Sequence, residues 1–507
     1  MAAGLLAPLA SANTGIPREP VAIGHESQFL FDLYIVDNHW GLRSQDDSVK
    51  RVSHQPRKHP GNPVIPTGKH FKISNVWVTR DGSAGPFRMW YQNNLNVSAV
   101  ELKEAPDPNE VIQEEGGKKG GPAFRKFVGY AESKDGIHWV KPNLNYFPDW
   151  AGEKLGEPNN SVLEAKSSQA GGASIVHGIP EKDKRGYKHV MLYRRQGGRD
   201  NAGIYLVGSH DGMKWDDANK MLIARLASDT HNNIVYDAQK DEYVMFCRSK
   251  HIYTDGPGRG KLDSLYCRRV ARMTSKELWT KWDVNPQTII VPDEEDYATG
   301  YKLLYGMPTR YQAGIYWGFL QHFRLNDFIY TELVVSRDGV RFDHMPGRPK
   351  LIEYGADGTW DDTMNFTCPW VESGNEWWMY YVGADGPHNS ADKGMGVGLM
   401  TIRKEGLISL RGPESGATVV TRRMTWPGGG LLLNADCRGG EIKVRVSDEK
   451  RVPIPGFDYS DSKTFTGDEL AHEIKWRGKS LDALKGKVVR LEFELKKADL
   501  FTFRAGK

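Results

Sequence analysis

The chain has 507 residues, too many for one ordinary hydrophobic core, so two or three units, or one large repeat domain with an appendage, are expected. Lys and Arg number 68 against 64 Asp and Glu, a formal net charge of +4 with no long block of one sign, which argues against nucleic-acid and membrane-surface partners. Four cysteines make neither a disulfide framework nor a C-x-x-C metal pair, and no apolar run approaches the ~20 residues that cross a bilayer.

The opening Met1–Asn13 is a short apolar stretch closing on Ala10-Ser11-Ala12, a small-x-small site. It reads as the end of a secretory signal, with residues 1–28 as leader and a secreted or periplasmic location; a frayed Ala-rich terminus fits equally. The first strand is expected in Phe29–Trp40, where Asp32 interrupts an apolar run; a carboxylate buried there must be paired.

One motif then returns along the chain. Ser133-Lys-Asp135-Gly136-Ile-His-Trp139, Ser209-His-Asp211-Gly212-Met-Lys-Trp215 and Ser336-Arg-Asp338-Gly339-Val-Arg-Phe342 share S-x-D-G-x-x-aromatic. Degenerate copies end at Trp279, through Ser275-Lys-Glu277-Leu, and at Glu405-Gly406-Leu407. Asp-Gly supplies the left-handed backbone of a tight hairpin, and the aromatic caps the next strand. Ahead of each copy lies a β-branched or aromatic run without helical period, as in Phe87–Gln92, Tyr243–Arg248 and Trp377–Val382. A further strand precedes each run: Asn75–Val78, Ala173–Val176, Asn233–Tyr236, Leu303–Tyr305 and Met364–Thr367.

Each repeat is therefore an antiparallel meander at roughly 60–75-residue spacing, long enough for a four-stranded blade. The fold expected is all-β: a five-bladed β-propeller over 29–410 and a C-terminal β-sandwich over 411–507. The sandwich follows a Pro427-Gly-Gly-Gly430 joint and shows alternating strands such as Glu441–Val446 and Val488–Glu494. Cys247 and Cys267 fall on neighbouring strands, where two free buried thiols are expected ahead of a bridge.

The F-R-M-W-Y-Q run followed by Y-A-E-S-K-D-G-I-H-W resembles the five-bladed glycoside hydrolase superfamily of arabinanases, xylosidases, levansucrases and invertases. Across nearly the whole chain, with Asp229-Thr-His-Asn232 and Gly406-Leu-Ile-Ser-Leu410, it is also similar to glycosyl-hydrolase-like proteins of planctomycete-type bacterial genomes. The resemblance implies a pocket at the channel mouth with three acidic groups. The W-M-N-D-P-N and E-C-P strings of the superfamily are missing, so the acids must be chosen from this chain's own strands.

Glycosidic cleavage needs a proton donor and a second carboxylate, and the inner strands deliver their first residues to the mouth. Asp229 ranks first, ahead of the third inner strand; Asp361 and Asp362 follow, then Asp32 and Asp296. Sugar-binding candidates are Asn159, Asn160, His231, Asn232, Arg310, Trp360 and Asn365, each with an alternative role in a turn or loop end. No metal-ligand pattern stands out and no cofactor is required, though a divalent cation such as calcium in the channel is left open. The function expected is hydrolysis of a plant or algal oligo- or polysaccharide; a non-catalytic carbohydrate-binding propeller and a polysaccharide lyase, using Tyr or His and a cation against a uronate, are the alternatives.

Overall fold

A computed structural model describes residues 19–40, 48–66, 71–96, 124–147, 158–163, 169–196, 202–226, 228–249, 268–324, 328–388, 390 and 393–507. Met1–Asn13 and Cys267 lie outside the described residues; Cys247 is a buried free thiol. The chain divides into two compact units, one spanning Gln55–Arg403 and the other combining Met1–His54 with Lys404–Lys507. No helix among the described residues is long and apolar enough to cross a membrane.

The division differs from the expected boundaries. Gln28–Phe29 pairs with Asp499–Ala505, Val36–Trp40 with Ala417–Thr421, and Lys50–Ser53 with Ile408–Arg411. These three strands therefore belong with the C-terminal strands, because strand edges are satisfied by partners hundreds of residues away that no local pattern reveals. Among the described residues this unit has two six-stranded sheets. The alternation in Glu441–Ser447 turns Ile442, Val444 and Val446 into a core that includes Trp426, Trp476 and Phe493.

Among the described residues the Gln55–Arg403 unit is a succession of five antiparallel meanders, three of them separate four-stranded sheets and the fourth and fifth joined in one ten-stranded sheet by a parallel contact of Ile329 with Met364. Their inner strands are Phe71–Arg80, Gln169–Ile175, Asn233–Asp237, Leu303–Gly306 continued by Thr309–Gln312, and Met364–Thr367 continued by Val371–Ser373. The fifth meander takes its outermost strand, Arg57–Lys58, from the start of the unit. Each meander touches the next, the fourth through Ile329–Ser336 against Met364–Thr367, and Phe71–Arg80 also touches Glu376–Ala384 of the fifth, so the succession closes on itself.

The repeated motif supplies the joint between neighbours. In its three full copies the Asp carboxylate accepts the backbone N–H groups two and three residues on, at 2.8–2.9 Å. The Ser hydroxyl accepts the Gly N–H at 2.8–2.9 Å. The finished turn then docks on the preceding meander. Trp90 of the first donates its indole N–H to the Gly212 carbonyl of the second at 2.8 Å, and Tyr380 of the fifth donates to Gly136 of the first at 2.8 Å. The motif aromatics follow: Trp215 meets Trp90 edge-on, Trp139 meets Tyr380, and Phe342 of the fourth meander meets Phe246 of the third. Trp279 of the degenerate copy serves the same purpose, donating to the Asp183 carbonyl of the second meander at 2.9 Å.

The fifth copy departs from this pattern. Glu405 bonds to Ser27 at 2.7 Å and Thr502 at 2.8 Å, within the other unit, and carries no inter-meander turn.

Gly212 sits at φ 79°, and a Cβ there would lie 2.8 Å from the Trp90 ring. Gly212→Ala should lower stability by about 2 kcal/mol or more, read from the urea midpoint. Gly347, at φ 74° with nothing within 4 Å of where a Cβ would stand, should lose only the smaller left-handed strain as Gly347→Ala. Equal losses at the two sites would contradict the docking role.

Candidate active site

Strand register defines two ends of the ring of meanders. At one, the inner strands begin: Asn233 lies opposite Phe246, Ser249 opposite Arg269, and Leu303 opposite Phe323. At the other, the Asp-Gly turns dock.

Asp229 belongs to the first end. The segment Ser228–Asn232 leading into the third inner strand is pinned at nearly every residue. Ser228 Oγ donates to Asn232 Oδ1 at 2.5 Å and accepts the Arg248 N–H at 2.8 Å; Thr230 Oγ1 donates to the Tyr305 carbonyl at 2.5 Å. Held this way, Asp229 keeps its side chain 38% exposed while its carboxylate pairs with Arg194 Nη1 and its carbonyl accepts from Arg248 Nη2.

Arg194 and Arg248 occupy matching places near the ends of the second strands of meanders two and three. Arg268, just before the third strand of meander three, completes a cationic arc. Its guanidinium lies 5.3 Å from the Tyr305 ring centre and 5.2 Å from that of Phe323. Burial, then the positive charge of Arg268, lowers the Arg248 guanidinium to about 10. Beyond Tyr305, His388 Nε2 stands 3.1 Å from the Tyr305 hydroxyl. Lys393, lowered to about 8 by burial and then by Lys72, anchors this loop by donating to the carbonyls of His388 and Ser390.

The remaining candidates are held elsewhere or by other work. Asp361 is buried, with its carboxylate 2.6 Å from Lys58 Nζ and 2.8 Å from the Tyr381 hydroxyl, where it fastens the outermost strand of the fifth meander. Asp362 closes its own loop, accepting from Gly358 N and Thr363 Oγ1 at 2.7 Å each. Trp360 stacks on Tyr381 at 5.5 Å. Asp32 lies in a turn of the other unit, accepting the Tyr34 N–H at 3.1 Å; it does not interrupt a strand.

Asp296 is buried in a charge network of the fourth meander. With Asp293 it forms the capping box of the short helix Glu294–Thr299. It lies 2.9 Å from Arg348 and 3.1 Å from His322, whose other nitrogen is 2.7 Å from the fully buried Glu332. Burial would raise Glu332, but the contacts with His322 and His344 outweigh it and hold the carboxyl at about 2. Burial likewise opposes charge on His322, yet Asp296 and Glu332 raise it above its usual value.

The neutral candidates also hold the frame. Asn160 donates to the Tyr91 hydroxyl at 2.6 Å and the Tyr130 carbonyl at 2.7 Å, and Asn159 to the Phe147 carbonyl at 2.7 Å. Asn232 closes the Ser228–Asn232 turn, and Asn365 accepts the Thr331 N–H of the fourth meander at 2.9 Å. His231 contacts the Ala173 carbonyl at 3.0 Å and the edge of Trp77; burial lowers it to about 4, so it is neutral near pH 7.

Arg310 is on the second inner-strand segment of the fourth meander, opposite Trp317, which puts it toward the docking end and away from Asp229. It bonds there to the Trp370 carbonyl and Gln312, both at 2.9 Å. A cavity of about 540 Å³ also opens toward that end, between meanders one and two beside His177, Lys188 and Asp81, but Asp81 is engaged by Arg88 and Lys188.

Asp229 is therefore brought together with three arginines and the Tyr305–His388 pair, while Asp361, Asp362, Asp296 and Asp32 are each engaged by other groups. Arg194, Arg248, Arg268 and His388 escape a search confined to residues ahead of inner strands. The signal that could have found the first two is their shared position at the close of the second strand. Among the described residues no group of three or more His, Cys, Asp or Glu side chains is arranged to hold a metal ion.

No protein-family model matches the chain, and no curated protein matches it in sequence. Among solved structures it is similar to an N-acetylgalactosamine deacetylase from F. plautii in complex with blood group B trisaccharide, 15% identical over 70% of this chain and 95% of that one, with a TM-score of 0.43. It is similar also to a beta-1,2-mannobiose phosphorylase from Listeria innocua, 12% identical over 68% and 96% of the two chains, TM-score 0.43. A thermostable family-43 glycoside hydrolase is 14% identical over 69% and 96%, TM-score 0.41. Likeness at this level does not extend to chemistry, which rests on the side chains.

Two outcomes follow for the buried charges. Lys58→Met leaves the Asp361 carboxylate buried beside Tyr381 alone and should cost about 2 kcal/mol in chemical denaturation, part of it recovered in Lys58→Met/Asp361→Asn. Glu332, depressed in the fold, contributes stability above its ordinary value of 4.5 that is lost as pH falls toward about 2. Thermal midpoints should fall across that window, and Glu332→Gln should flatten the fall while lowering the midpoint at neutral pH.

Proposed function

We propose that Gln55–Arg403 is a five-bladed β-propeller, that the other unit is a β-sandwich, and that the propeller cleaves a glycosidic bond of an oligo- or polysaccharide at the end where its inner strands begin. The observation that carries this reading is Asp229: a partly open carboxylate paired with Arg194, its backbone carbonyl held by Arg248, at the start of an inner strand. Pairing with a guanidinium favours the ionised form, which suits a base, nucleophile or transition-state stabiliser better than a proton donor. The proton for the leaving oxygen then falls to the Tyr305–His388 pair, 3.1 Å apart at the same end. In hydrolysis, water adds across the bond: its oxygen goes to the anomeric carbon and one proton to the leaving group.

The same Tyr305–His388 pair, with Arg268 over the tyrosine ring, favours a second reading. There a base removes the proton next to a uronate carboxylate, the glycosidic C–O bond breaks and a C=C bond forms without water. The product separates the two, since elimination leaves an ultraviolet-absorbing unsaturated end and hydrolysis does not.

Asp229→Asn keeps the shape of the side chain and removes its charge. It should lower kcat by about 100-fold or more on any saccharide the native protein cleaves, with a smaller fall in the unfolding midpoint because buried Arg194 loses its carboxylate. Undiminished product release would remove Asp229 from the chemistry.

A further inference from the structure

We infer that the saccharide cleaved carries an oxyanion, a carboxylate or a sulfate ester, close to the scissile bond and seated on Arg248 and Arg268. This deepens the proposed function and rests on it. Three guanidinium groups, Arg194, Arg248 and Arg268, gather at one end of the ring with the Asp229 carboxylate among them. That carboxylate pairs with Arg194, and what Arg248 receives from the same residue is a neutral carbonyl.

Arg248 is only 6% exposed, yet its Nε has no hydrogen-bond partner among the described residues. Nε and Nη1 of Arg268 are buried and equally without partners. Arg268 rests on the faces of Tyr305 and Phe323, which support its plane but accept none of its in-plane donors. A buried charge is tolerated when paired, and like charges held close raise the cost further. Hydroxyl groups of a neutral sugar could accept single bonds here but would leave the charge uncompensated. A carboxylate or sulfate offers oxygens in the geometry a guanidinium edge matches, and charge in the required sign.

The same chemistry would also suit free phosphate as a co-substrate, so the test separates the two sources. The full chain and Arg268→Gln, a change at a half-buried position whose folding is checked by thermal unfolding, are assayed on oligogalacturonate and sulfated galactan oligosaccharides. Their methyl-esterified and desulfated counterparts are run alongside, with and without inorganic phosphate, and binding of each probe is followed by calorimetry.

The native chain should cleave one charged probe at least about tenfold faster than its neutral counterpart, and Arg268→Gln should erase that ratio. The preference should shrink as salt rises. Equal rates on charged and neutral probes would overturn the oxyanion assignment and leave glycoside cleavage standing. A neutral probe cleaved only with phosphate, releasing a sugar phosphate, would overturn it in favour of the free anion. Calorimetric binding of a charged probe without product would uphold anion recognition and end the cleavage reading; neither binding nor product would end both.

Discussion

The docking of each Asp-Gly turn on the meander before it is the constraint from which the Gln55–Arg403 unit follows. An antiparallel sheet of four strands leaves two edges and two faces unsatisfied, and a neighbour must cover at least one face. Here the neighbour arrives with its turn already made by Ser and Asp side chains. It needs only a flat aromatic below it, supplied by Trp90 for the second meander and Tyr380 for the first. Because the first meander is received by the fifth, the same contact that joins neighbours also closes the succession.

That closure determines which residues can meet. The loops entering the inner strands converge at one end, so groups from the second, third, fourth and fifth meanders stand together there: Arg194, Asp229, Arg248, Tyr305 and His388. The docking end gathers residues of another character. Arg310 is spent on a backbone carbonyl and a glutamine, and its positive charge, followed by burial, lowers the nearby His177 to about 3. Arg310 at that end serves packing; Arg248 and Arg268 at the other keep buried donors without partners among the described residues.

Much of the fold is legible in the sequence because its signals are local. Met364–Thr367 is read to the residue, since the short stretch sits between a turn-rich loop and Cys368-Pro369. The three full S-x-D-G copies likewise announce their turns. The site is legible only in part. Asp229 can be named because Ser228–Asn232 is polar immediately ahead of burial, but the fate of Asp361 depends on Lys58, 303 positions earlier, which carries no mark of pairing. Asp32 misleads for the same reason: its turn is defined by strands that pair with the far end of the chain. Arg310 falls at the end opposite to the one expected because the fourth inner strand is in two pieces, and only the register of the second shows the direction of travel.

The most direct measurement is a crystal structure of Asp229→Asn soaked with a charged oligosaccharide. The account predicts the sugar at the end where the inner strands begin, its glycosidic oxygen within reach of residue 229 and of the Tyr305–His388 pair, and its anionic group against Arg248 and Arg268. A sugar ordered instead at the docking end, beside Arg310 or in the cavity near His177, would contradict it.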